Sequence, residues 1–294
     1  MDKYIEQFLH YLSTERGFSP RTIEAYKHDL GKFSVFLSSI NKVELTAITR
    51  ADVGSFVSSL ASSNAEITKA RKLSTVKSFF NYLEGIDVLK TNPASHVMSP
   101  KIPQKEASYL NDEEYQRLMQ TVRDVATPYY WQRDLAIVTI FLHTGIRLSE
   151  LVSLTLGSVD LSEGTILIQG KGNKQRRLPL NNEVALVIKK YLNKRPEVET
   201  ESLFVSKLGS GLSARSVYHL IKRYLKKAGI NKVKLGVHSL RHSFGASLLS
   251  KGVNLVVIQE LLGHTKLETT RRYLHINNSD LRNAVDSLVL NKNI

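Results

Sequence analysis

Along the first hundred residues apolar side chains return every three or four positions, the period of helices that each bury one face. Ile5, Phe8, Leu9 and Leu12 form the first stripe. Ser19 and Pro20 then supply an N-cap and a first-turn proline ahead of Ile23, Tyr26, Leu30 and Phe33. Thr49-Arg50-Ala51-Asp52 reads as another capped start, with Val53, Phe56, Val57 and Leu60 behind it. Leu73, Val76, Phe80 and Leu83 mark a fourth helix. No strand signal interrupts them, so residues 1–92 are predicted to form a compact helical bundle.

The periodicity fails between Asn92 and Ser108, where Pro93, Pro100 and Pro103 stand among Lys101, Gln104, Lys105 and Glu106. Residues 93–108 therefore read as an exposed linker. A second domain, 109–294, begins with a helix at Leu110-Asn111-Asp112-Glu113-Glu114, in which Asn111 can cap and Glu114 can reach back. The domain is mainly helical with one small antiparallel β insertion. Thr165 to Gln169 is β-branched and apolar, Gly170 to Lys174 is a turn, and Gln175 to Leu180 returns until Pro179 limits pairing. Leu281, Val285 and Leu288 mark a last short amphipathic helix.

Composition narrows the partners. No stretch approaches the roughly 20 apolar residues that span a bilayer; Leu135 to Leu142 has only the length of a buried helix. The amino terminus carries Asp2 and Glu6 without an apolar core, so neither a secretion signal nor a membrane anchor is expected. The absence of cysteine excludes disulfides and thiolate metal sites and fits a cytoplasmic protein. Lys and Arg total 41 against 27 Asp and Glu. Residues 1–108 hold 14 basic and 11 acidic residues, which leaves 27 and 16 for the rest of the chain. A polyanion is the natural partner of such a surface, since each neutralised phosphate releases a counterion.

Four short segments carry candidate chemistry. In Thr144-Gly145-Ile146-Arg147-Leu148-Ser149-Glu150 one helix ends near Gly145 and another begins, which places Arg147 at a junction with Glu150 as its structural partner. A guanidinium suits a phosphodiester because its planar fork makes two parallel hydrogen bonds and stays charged. In Val237-His238-Ser239-Leu240-Arg241-His242, Leu240, Phe244 and Leu248 mark a helix. His238 and Arg241 share a face near its start, and His242 points elsewhere as a structural residue. In Leu262-Gly263-His264, Gly263 can end a helix in the left-handed conformation, and Thr265 with Glu268 can cap the next, about two turns before Tyr273. The turn Gly170-Lys171-Gly172-Asn173-Lys174, followed by Arg176 and Arg177, is a basic finger that could bring a lysine to a backbone or leaving group. Each segment alone also reads as ordinary capping, packing or a solvated hairpin; the set is more specific than its parts.

In order, these motifs resemble those of the tyrosine recombinase (phage integrase) family, and most closely its Xer-type members. The resemblance covers essentially the whole chain, including Gly17-Phe18-Ser19-Pro20-Arg21-Thr22-Ile23, which is similar to the family's helical core-binding domain. It implies a mixed α/β catalytic domain after that bundle. It also implies a catalytic set of Arg147, Lys171 (favoured over Lys174), His238, Arg241, His264 and the nucleophile Tyr273. Tyrosine, with an ordinary pKa near 10, is about one part in a thousand ionised at neutral pH and needs its proton removed as it attacks phosphorus. The resemblance assigns that task to His238. Arg147, Arg241 and His264 would hold the non-bridging oxygens, and Lys171 would protonate the leaving 5′ oxygen. The product would be a 3′-phosphotyrosyl bond, exchanged through a Holliday junction without ATP. Neither cofactor nor metal is called for, since the chain has no paired carboxylates or His cluster near these motifs.

The expected partners are a double-stranded DNA recombination site and three further protomers, identical or from a related recombinase, linked through the last helix. The expected role is resolution of chromosome or plasmid multimers, because the compact chain has no additional amino-terminal DNA-binding domain. The competing readings are an integrase of a mobile element, a type IB topoisomerase, which shares the chemistry, and a non-catalytic DNA-binding regulator.

Overall fold

The computed structural model describes residues 1–42, 44–60, 66–101, 108–125, 130–170, 175–232 and 235–263. The chain divides into two units, Met1–Lys105 and Glu106–Ile294, each with its own core. The whole is mainly α with one small antiparallel sheet.

The first unit contains helices α1 (Asp2–Thr14), α2 (Pro20–Ser39), α3 (Arg50–Ser59) and α4 (Glu66–Gly85). They start where the sequence supplies caps. Ser19 Oγ accepts from the Thr22 amide at 3.3 Å. Thr49 and Asp52 form a capping box, the Asp52 carboxylate accepting from the Thr49 amide at 2.8 Å. Helix α2 packs on α1, α3 and α4, and the space between is filled by aromatic rings. Phe33 meets Phe56 and Phe80 with centroids 5.0 and 5.9 Å apart. At the start of the stretch read as an exposed linker, Ala94 and Val97, like Asn92 just before it, are buried against this unit. The Asn92 side chain explains why: it donates to Asn81 Oδ1 at 2.5 Å and accepts from the Ala94 amide at 2.7 Å.

In the second unit α5 (Asp112–Val125), α6 (Trp131–Thr144) and the short α7 (Leu148–Val152) lead into strands β1 (Val159–Asp160), β2 (Thr165–Gln169) and β3 (Gln175–Pro179). Helices α8 (Asn182–Leu192), α9 (Ala214–Lys227), α10 (Val237–Ser250) and α11 (Leu255–Leu262) follow. Every residue of α6 from Asp134 to Leu142 is buried, and a helix that is apolar nearly all round belongs in the middle. Helices α5, α8 and α10 accordingly pack on it. The expected Asn111–Glu114 box is present, with reciprocal bonds of 2.8 and 2.9 Å. Ser243 Oγ accepts from the Leu110 amide at 2.8 Å and ties this start to α10.

The sheet has the order β1-β2-β3, all antiparallel; the two-residue β1 adds to the pair expected from the sequence. Ile166 lies opposite Leu178 and Ile168 opposite Arg176, so Arg176 shares a face with the buried residues. A satellite cluster of Phe244, Ile258 and Leu262 joins α10 to α11. Among the described residues no helix is long and apolar enough to cross a membrane.

One polar group is locked inside the first unit. Asp29 is fully buried, and its carboxylate accepts from both Nη atoms of Arg71 and from the Thr75 hydroxyl at 3.3 Å. Removing a partner from a buried ion pair leaves the other uncompensated. Arg71→Ala, which leaves the buried Asp29 carboxylate without its guanidinium, is expected to lower the unfolding free energy of the full chain by about 3 kcal/mol in urea titration. The exposed change Thr14→Ala should cost under about 1 kcal/mol.

Candidate active site

Three backbone facts assemble the site. Helix α6 ends at Gly145, and α11 ends at Gly263, both left-handed with φ of 60° and 61°. Helix α10, which carries Arg241, packs against both α6 and α11. Two C-termini, each with unpaired carbonyls and partial negative charge, thus come to one place, where cations are stabilising. Gly145 also has no room for a side chain: an added Cβ would lie 2.4 Å from Phe244 Cδ1 and 2.7 Å from Leu262 Cδ2.

Arg241 is 6% exposed, and its guanidinium spans the two helix ends. Nη1 donates to the Gly145 carbonyl at 2.6 Å and Nη2 to the Leu262 carbonyl at 2.5 Å. Arg147 reaches the next carbonyl, with Nη2 donating to Gly263 at 2.9 Å and Nη1 to Glu150 Oε1 at 2.7 Å. Its side chain stays 38% exposed, with further donors to offer. The two arginines are 94 positions apart in the sequence, yet they bind successive carbonyls of one joint. His238 is exposed on the first turn of α10, one turn before Arg241. His242 is half-buried on the same helix, as the sequence suggested.

Glu150 holds this arrangement from below. It is 3% exposed and accepts four bonds: from the Arg147 amide and Nη1, and from Arg176 Nη1 and Nη2 at 3.0 Å each. Burial alone would raise its pKa, but the bonds from Arg176 and Arg147 outweigh it and hold the carboxyl at about 2. It is therefore a carboxylate at any working pH. Helical spacing in the sequence pairs Glu150 with Arg147, whereas Arg176 stands there only as part of the basic finger. Strand alternation was the available signal, since positions 176 and 178 of β3 face inward together. Lys171, His264 and Tyr273, together with the expected last helix, lie outside the described residues.

A second polar cluster braces the end of α6. His143 Nε2 lies 2.8 Å from the Tyr115 hydroxyl, and Nδ1 lies 2.8 Å from Asn181 Nδ2. Asn181 Oδ1 already accepts from the Val184 amide at 2.9 Å, so its Nδ2 faces the ring and Nδ1 must accept. The ring is thereby kept neutral with its proton on Nε2.

The model of the phage integrase family matches residues 108–280, and that of the phage integrase N-terminal SAM-like domain matches residues 5–85. Tyrosine recombinase XerC of Thermodesulfovibrio yellowstonii is 36% identical over 96% of this chain and 94% of its own. XerC of Oceanobacillus iheyensis is 33% identical over 97% and 95%. Among solved structures, XerH recombinase bound to its difH substrate before cleavage superposes with a TM-score of 0.76. It is 27% identical and is matched over 96% of this chain and 84% of that one. A lambda integrase dimer bound to a COC′ core site, at 17% identity and a TM-score of 0.75, shares the fold. The chain belongs to the phage integrase family. It is a tyrosine-type, site-specific DNA recombinase.

Two expectations follow. Gly145→Ala combines left-handed strain with overpacking against Phe244, and should cost about 2–4 kcal/mol in denaturant titration. Burial lowers the pKa of His143, an effect that Glu183 opposes and Lys251 reinforces. A histidine with a depressed folded pKa contributes stability that is complete above its unfolded value, near 6.5, and is lost as the pH falls below it. Unfolding free energies measured between pH 7 and pH 5 should fall more steeply for the wild type than for His143→Gln. Equal slopes would contradict the neutral ring.

Proposed function

We propose that this recombinase cuts DNA through Tyr273 and rejoins it to a different partner strand. The phenolic oxygen attacks the scissile phosphorus while His238 takes its proton. The P–O5′ bond breaks, and Lys171 gives the departing 5′ oxygen its proton. Charge on the non-bridging oxygens of the transition state is held by Arg147 and Arg241, with a hydrogen bond from His264. The 3′-phosphotyrosyl ester keeps the phosphodiester energy, so the 5′-hydroxyl of another strand reverses the step without ATP, by way of a Holliday junction.

The observation that carries this reading is the seating of Arg147 and Arg241 on the joint at Leu262 and Gly263, immediately before His264 and ten residues before Tyr273. Cations fixed before the reaction need no reorganisation as charge develops, which is the main catalytic resource in phosphoryl transfer.

The helical first unit, residues 1–92 in this reading, would lie on the DNA with residues 93–108 as linker to the catalytic domain, 109–294. Its substrate is a double-stranded recombination site, as difH is for XerH. Four protomers, identical or of two related kinds, would act on two duplexes, with the last helix docked on a neighbour. The resemblance to proteins named XerC favours resolution of chromosome or plasmid multimers in the cytoplasm, in the service of chromosome partition at cell division.

The test begins by selecting the DNA that the purified protein binds and then nicking it beside the scissile position. Wild-type protein should accumulate as a covalent adduct on this substrate. Tyr273→Phe should bind the DNA within a few-fold and form none. Arg147→Ala and Arg241→Ala should slow adduct formation by about 100-fold or more, the effect of losing one preorganised donor. An adduct formed by Tyr273→Phe at the wild-type rate would end this proposal.

A further inference from the structure

Arg176 lies on β3, two residues beyond Lys174, and faces inward. Its side chain is 16% exposed and makes a bidentate pair with Glu150, at 3.0 Å on each side. Its guanidinium carbon would be 3.0 Å from a Cβ added at Gly263, the residue whose carbonyl binds Arg147. The same plane therefore meets the carboxylate under Arg147 and the joint above it. Buried Nε of Arg176 has no hydrogen-bond partner among the described residues, so the side chain is held by these two contacts rather than by local satisfaction.

Charge balance decides what this pair does. Glu150 and Arg147 by themselves form a neutral ion pair, and a phosphate arriving there would meet a compensated guanidinium. With Arg176 sharing the carboxylate, the trio carries one net positive charge in a largely buried setting, where charge is weakly screened. Both oxygens of Glu150 are also fixed by the fork, so Arg147 is held at one angle.

We propose that Arg176 is a positioning residue of the recombination reaction: through Glu150 it keeps Arg147 oriented and electrostatically uncompensated toward the scissile phosphate. The proposal rests on the reading that Arg147 holds that phosphate. It also gives β3 a second role, since Arg176 ties this strand to the arginine site through Glu150.

Single-turnover adduct formation on the nicked substrate, at saturating protein, separates this from a structural role. Arg176→Gln should react about 100-fold more slowly, the scale of a misplaced catalytic group, while binding DNA within about threefold of wild type. Arg176→Lys, which keeps the charge without the fork, should fall between the two. The double variant Arg176→Gln/Glu150→Gln also removes the carboxylate that would neutralise Arg147, which restores its net charge though not its fixed angle, so it should react at least about tenfold faster than Arg176→Gln. A purely structural role predicts the reverse, with the double variant as slow or slower.

A substrate with a neutral methylphosphonate at the scissile position gives a second readout, and it decides where the double variant lacks a cooperative melting curve. There the penalty of Arg176→Gln should shrink to under about tenfold, because the charge it supplies is no longer needed. An unchanged penalty overturns the proposal, as does wild-type reactivity of Arg176→Gln. Tyr273→Phe run alongside keeps the two ideas apart. An adduct from that variant defeats the reading of the site itself, whereas an inert Tyr273→Phe beside a fully active Arg176→Gln defeats only the role of Arg176.

Discussion

The carboxylate of Glu150, taken almost wholly out of water, is the constraint on which the catalytic unit is organised. A buried charge without partners costs several kcal/mol, and Glu150 offsets that cost through its bonds to Arg147 and Arg176. Those partners come from different elements: the turn before α7 and strand β3. Meeting the electrostatic demand of one side chain therefore brings together the end of the buried helix α6, the hairpin and, through Arg147, the end of α11.

The same logic operates at the helix ends. Carbonyls at the C-termini of α6 and α11 have no intrahelical partners, and each carries part of a helix dipole. Arg241 satisfies one from each helix and Arg147 satisfies the next. Glycine is required at 145 because the backbone turns left-handed there while Phe244 and Leu262 close over it. The two arginines proposed to hold the phosphate are thus structural ties as well, and these bonds fix their positions before any substrate arrives.

The electrostatics extend from the site to the whole chain. The surplus of 14 positive charges draws in a polyanion from a distance, most of it carried by residues beyond 108. At the joint between α6 and α11, the balance is set by a few side chains: Glu150 lowers the local charge and two guanidiniums raise it. Long-range attraction is insensitive to where each charge lies, whereas catalysis depends on which oxygen each donor faces.

Much of this was legible in the sequence. Helical periods with their caps gave the first bundle, and Asn111 with Glu114, Gly145 and Gly263 marked helix boundaries that the structure reproduces. These features are local, set by backbone sterics and hydrogen bonds within a few residues. Motif order identified Arg147 and Arg241 as a set, and Glu150 was recognisable as a neighbour of Arg147 at helical spacing. The packing of Asn92, Ala94 and Val97, the ring environment of His143 and the inward turn of Arg176 were not legible in the same way. Each depends on partners distant in the chain: Asn81 for Asn92, Tyr115 and Asn181 for His143, Glu150 for Arg176. Residue types and their spacing determined which groups could act on a phosphodiester. Only the tertiary structure decided which charges neutralise one another, because Coulomb energy depends on distance in space and on exclusion of water, and neither is encoded by position along the chain.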